Sequence, residues 1–143
     1  MRWITRERPR IDRVACAWLI KRFIDPQPEF LFVPGDQVLE RAEQEHATPF
    51  HVRGGTFGRT AGETGIDVLI RSYQLGEQDP ALHQLARIVH GADVVEAGAP
   101  PESAGLRAIM NGYIDVYTDD HELLGVATTV YEALYQWCRR HSS

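Results

Sequence analysis

The sequence predicts an α+β fold in one domain, residues 1–143, with a small N-terminal sheet of two to three strands and a mainly helical second half. Three observations point there. Short apolar runs at 3–5 and 29–33 flank a segment whose apolar residues recur every three or four positions, the order of a β-α-β start. Strand-like patterning ends with PFHV at 49–52. From Ile66 onward the apolar residues keep helical spacing almost to the end of the chain.

Taken in order, residues 3–5 read as a strand. Ile11, Val14, Ala15, Trp18, Leu19 and Phe23 then form one apolar stripe, which predicts a helix over 13–24 with Asp12 as its N-cap. The DPQP at 25–28 ends it, because proline cannot continue a helix and pushes its predecessor toward extended geometry. EFLFV at 29–33 is a buried strand, parallel to the first by a right-handed crossover. A short helix begins near Asp36 with Leu39 and Ala42 inward, and PFHV adds a third strand. RGGTFGRTAGETG, residues 53–65, holds five glycines in thirteen residues and reads as a loop, with the option of covering a site. Helices follow at 66–74, at 80–90 with Asp79 as cap and Pro80 at the first position, at 101–117 and at 120–140. The expected inner stripes are Leu106, Ile109, Met110, Tyr113 and Tyr117, and then Leu123, Leu124, Ala127, Val130, Tyr131, Leu134, Trp137 and Cys138. Asp119 and Glu122 suggest a capping box for the last helix, and Arg139, Arg140 and His141 complement the negative end of its dipole.

At 143 residues the chain has room for a core without disulfide staples. No apolar run approaches the roughly 18 to 20 residues that span a bilayer, and the basic N-terminus lacks a signal peptide's apolar region and cleavage site. The expected location is the cytoplasm, with no membrane contact. The two cysteines, Cys16 and Cys138, form no CxxC pair and are expected as free thiols.

Charge is unevenly spread. Residues 1–22 balance at +5, whereas the whole chain carries −5, so the remainder is strongly acidic. Such a body argues against direct nucleic-acid binding, which favours a broad basic face. Arg6, Arg8, Arg10 and Arg13 crowd the expected start of the first helix. On an extended lead-in the first three would alternate along one side at about 6.6 Å intervals. Free amides, the positive end of the helix dipole and guanidinium forks together suit a small tetrahedral oxyanion. Lys21 shares a helical face with Arg13 and Ala17 and extends the basic track. Asp12 at the same helix start would compete with such an anion, and a solvated basic rim is the bland alternative.

Other constellations are weaker. GGTFGRT lacks the glycine spacing and the lysine of a phosphate-binding P-loop. His90 and Asp93, with His51 as a further ligand, are candidates for a divalent metal, yet no fixed-spacing motif joins them. No serine sits in a GxSxG-like turn.

Several separated blocks resemble one family. They are W-x-TR-x-RP-x-IDR-x-AC-x-WLI-x-RFID at 3–25, FLFV at 30–33, PF at 49–50, DPAL with LA-x-IVHGAD at 79–93, PESAGL at 101–106 and YEALYQWCR at 131–139. Together they resemble the chromate-resistance family, more narrowly the C-terminal domain of ChrB-type proteins. The resemblance implies a part in bacterial chromate resistance, proposed for the family as chromate-responsive regulation of an efflux operon. It also implies that Arg6, Arg8, Asp12, Arg13, Cys16 and Trp18 occupy signature positions, with His90 and Asp93 in a second signature block. Two departures stand out. ChrB-type proteins carry an additional N-terminal region, and a chain that starts almost at the domain is not expected to act alone as a repressor. The family pattern often has a His and a Cys ahead of residue 66, where this chain has Arg59, Thr60 and Thr64.

Two functions compete. One is a binding module that holds a chromate- or sulfate-like oxyanion through Arg6, Arg8, Arg10, Arg13 and Lys21, as sensor or accessory factor. The other is a metal- or thiol-dependent enzyme acting on an oxyanion or sulfur compound, with Cys16 one turn inside the basic helix start, where a thiolate gains stabilisation. A protein partner or a homo-oligomer, joined through Tyr131, Tyr135 and Trp137, stays open.

Overall fold

The computed structural model describes residues 1–52 and 62–141. Strand β1 (Arg2–Arg6) lies at the centre of a three-stranded sheet, with β2 (Glu29–Val33) and β3 (Thr48–Pro49) parallel to it on either side. Parallel neighbours require crossovers, and the chain supplies a helix for each. Between β1 and β2 runs α1 (Ile11–Leu19), whose last residues pass into a π-helical turn, Ile20–Ile24. Asp25 closes that turn by donating its amide to the Ile20 carbonyl. Its carboxylate accepts from the Trp3 indole at 3.0 Å, tying the turn back to β1. Between β2 and β3 run a short 3-10 turn, Gly35–Gln37, and α2 (Val38–Glu45).

Alternation along β1 divides the interior. Trp3 joins the main core, while Ile4 packs with Val33, Val38 and Ala42 under α2. The main core lies among α1, α3 (Gly65–Ser72), α4 (Pro80–Asp93), α5 (Glu102–Val116) and α6 (Asp120–His141). Asp79 caps α4 by accepting from the Leu82 amide, and Asp119 caps α6 through the amides of His121 and Glu122, as expected. Trp18 is 4% exposed and carries much of the joint between α1 and α6. Its ring meets Tyr135 at 5.4 Å, and its indole donates to Glu132 at 3.0 Å. Tyr131 reaches from α6 to donate to the carbonyl of Ile11 in the first turn of α1.

Several expectations need correction. Val38, not Leu39, faces inward from α2, because Val38 one turn before Ala42 packs with it against Ile4 and Val33; Leu39 is 43% exposed. Ile109 and Trp137 stay largely on the surface, and Tyr135 takes the buried place in the α6 stripe. The third strand is only two residues long. The proposed covering loop lies mostly outside the described residues. Among the described residues, no helix is long and apolar enough to cross a membrane.

Candidate functional site

Asp12 organises the neighbourhood, though not as the cap of its own helix. The N-cap position of α1 belongs to Arg10, which has extended backbone and no side-chain cap bond. Asp12 sits in the first turn, two residues past the cap, and is 2% exposed. Its carboxylate accepts from the first amides of a different helix, α3: Gly65 at 2.5 Å and Ile66 at 3.0 Å. Unsatisfied amides and the dipole at a helix N-terminus favour an anion, and here the chain supplies its own. Thr64 and Asp67 complete that helix start, with the Asp67 carboxylate accepting from both the amide and the hydroxyl of Thr64.

His51 closes the third side. Its Nε2 lies 2.8 Å from Asp12 Oδ2, a contact too oblique for a well-formed hydrogen bond but close enough to be an ion-pair contact. Burial alone would raise the Asp12 pKa; the His51 imidazole and the two α3 amides outweigh it and hold the group below its ordinary value. Position 65 tolerates nothing larger than glycine, because a Cβ there would collide with His51 Cδ2 and crowd Cys16 Sγ and Asp12 Oδ2.

Arg6, Arg13 and His51 line one cleft of about 560 Å³, together with Gly35, Asp36, Val38, Leu39 and Val52. Arg13 donates from Nη2 to the His51 carbonyl at 3.4 Å, and its Nε is buried without a partner among the described residues. The Arg13 pKa is lowered, first by burial and then by the charge of Arg6, while Asp12, Cys16 and Asp93 act in the opposite sense. Arg6 lies across Gly35 on the same side.

The other basic residues go elsewhere. Arg8 adopts φ 56°, so the lead-in is not extended and the alternation of three arginines is lost. Its guanidinium donates to the carbonyls of Ile114, Tyr117 and Thr118 at the C-terminal end of α5. Its amide donates to Asp120 at the start of α6. Arg8 thus serves as a helix C-cap, where a cation meets orphan carbonyls. Arg10 is exposed at the α1 cap, and Lys21 lines a separate groove with Trp18, Arg22 and Glu132.

The thiolate expected at Cys16 is not what the structure builds. Cys16 is fully buried, and burial first, then the Asp12 carboxylate, pushes its pKa well above the ordinary range. His90 does not pair with Asp93 either: Nε2 lies 3.2 Å from Glu96 and Nδ1 3.9 Å from Asp67. Among the described residues, no three His, Cys, Asp or Glu side chains are grouped as metal ligands would be.

The partnership of Asp12 with His51 and α3 escaped the sequence. A Thr-x-x-Asp signature at 64–67 was available to mark the start of α3, but nothing local says which carboxylate would fill it.

Comparison with known proteins adds an independent finding. The profile of the family described as ChrB, C-terminal domain, matches residues 3–138. Protein ChrB of Cupriavidus metallidurans is 37% identical over 136 residues, a match that covers 93% of this chain and 39% of that protein. The chain therefore spans well under half the length of that relative. No solved structure matches.

Proposed function

Because the chain belongs to the ChrB C-terminal domain family, we propose that it is a cytoplasmic chromate-resistance domain whose Arg6–Arg13–His51 cleft binds a small oxyanion of the chromate or sulfate kind, as a sensor or accessory factor. One observation carries most of the weight. Two guanidinium groups share the wall of one cleft and repel each other, and among the described residues no acid forms an ion pair with either. An anion between them relieves that repulsion and offers acceptors to forked donors. Asp36 on the same cleft opposes the anion, and its exposed position leaves its charge screened by water.

The test is titration calorimetry with chromate and with sulfate. Arg6→Ala and Arg13→Ala each weaken binding by about 1.5 to 3 kcal/mol, the range for hydrogen bonds to charged groups. Arg10→Ala and Lys21→Ala leave it nearly unchanged. Absence of heat with either anion at millimolar concentration in the unmutated protein overturns the proposal.

A further inference from the structure

His51 is 9% exposed and holds a fixed relation to its neighbours. A carboxylate oxygen and a ring nitrogen only 2.8 Å apart cannot both present lone pairs, so the neutral ring carries its proton on Nε2, although that N–H meets Asp12 obliquely rather than in a well-formed hydrogen bond. The Cδ2 corner of the ring abuts Gly65. Nδ1 lies on the opposite edge and is buried with no hydrogen-bond partner among the described residues. Arg13 Nε shares that condition, and Arg13 is bonded to the His51 carbonyl, so these two of the unpartnered buried nitrogens belong to adjoining residues that line one cleft. An unpaired buried polar atom costs about 1 to 3 kcal/mol, which makes such a pair a marker for ligand atoms.

We infer that the cleft takes an oxyanion together with one proton, shared between His51 Nδ1 and a ligand oxygen, and so prefers oxyanions that hold a proton near neutral pH over sulfate. The inference rests on the oxyanion reading above and names its substrate class. With Nε2 protonated, neutral His51 carries a lone pair on Nδ1, and a bare oxyanion seated against that edge of the ring would meet it lone pair to lone pair. Two arrangements resolve the conflict: a hydrogen-oxyanion donates its O–H to Nδ1, or an imidazolium donates N–H to a bare anion. Both contain the same single proton. Hydrogenphosphate brings that proton itself, and chromate oxygens are basic enough to share it. Sulfate is not, and depends on protonation of His51.

The charged and titratable groups around His51 are consistent with that role. From α1 it is faced by Asp12 and Arg13, with Cys16 behind the carboxylate; from β1 by Arg6; and from the turn before α2 by Asp36. The start of α3 contributes two amides that hold Asp12. Asp93 of α4 acts on Arg13 and Cys16, and Tyr131 of α6 feels the charge of Asp12. Asp12 supports an imidazolium from behind, while the two guanidinium groups oppose it until an anion arrives.

Calorimetry of the whole chain with inorganic phosphate and with sulfate between about pH 6 and 8.5, in buffers of different ionisation heat, tests the inference. Sulfate affinity is expected to fall as the pH rises, toward about tenfold per pH unit where one full proton is taken up on binding. Phosphate affinity stays nearly flat above neutrality. His51→Asn, chosen because asparagine tolerates the left-handed backbone at φ 54°, should abolish the sulfate slope and most of the preference for phosphate. Imidazole nitrogen NMR shifts report the same event without a mutation: sulfate should convert His51 to the imidazolium. Sulfate binding with no proton uptake, or an unchanged preference in His51→Asn, overturns the shared proton and leaves the anion site standing. No binding of either anion at any pH overturns both.

Discussion

Replacing Asp12 by alanine removes a carboxylate from three groups that have no other partner among the described residues: the amides of Gly65 and Ile66 and the Nε2 edge of His51. Each amide bond to an ionised acceptor is worth about 1.5 to 3 kcal/mol, and the loss is partly offset because a buried carboxylate no longer has to be desolvated. The expected destabilisation is about 3 to 5 kcal/mol, the range for breaking a buried pair by deleting one member. At this chain length that lowers the melting temperature by about 10 °C or more. Asp12→Asn keeps the shape and one acceptor and should cost roughly half as much. Urea unfolding followed by circular dichroism gives the number, and hydrogen exchange at Gly65 and Ile66 shows whether α3 frays first. The same group predicts the acid limb of stability. The unfolded chain takes up its proton near the ordinary value of 3.8, and the folded chain only at lower pH. Its contribution is therefore complete above that range and is lost as the pH falls through the folded-state value. A loss under about 1 kcal/mol in Asp12→Ala, with α3 amides still protected, would refute the assignment of Asp12 as the anion at the α3 N-terminus.

Two further outcomes follow from the same geometry. Arg8→Ala should destabilise the protein by about 1 to 3 kcal/mol through the uncapped end of α5, discounted for its partial exposure, while leaving sulfate or chromate affinity within about twofold; a large affinity loss with intact stability would return Arg8 to the anion site. Cys16 should resist iodoacetamide in the native state at about pH 8 and react only on unfolding, because burial keeps its thiol protonated and out of reach; rapid native-state labelling would revive a thiol-dependent reaction.

Much of the architecture was legible because it is written in local pattern. The β2 bounds at 29–33, the Asp79–Pro80 start of α4 and the Asp119 start of α6 each depend on a few adjacent residues, and the sheet-then-helices order follows from where the apolar period changes. Stripe errors arose where two adjacent apolar residues compete for one face, as with Leu39 and Val38: both lie within about one turn of the buried Ala42, and only packing against Ile4 and Val33 selects Val38. The site was less legible. A row of arginines in sequence says how much positive charge is present, but not which carbonyl or cleft each side chain reaches.

The sequence alone determined the charge asymmetry, the helix-rich second half and, through its separated blocks, the family. Only the tertiary structure decided that Arg8 caps α5 while Arg6 and Arg13 share a cleft, and that Asp12 fills the N-terminus of α3 with His51 beside it. The physical reason is range. Helix and strand signals act over a few residues, whereas a buried carboxylate finds its partners wherever packing brings free amides and an imidazole together, here from positions 51, 65 and 66 onto residue 12.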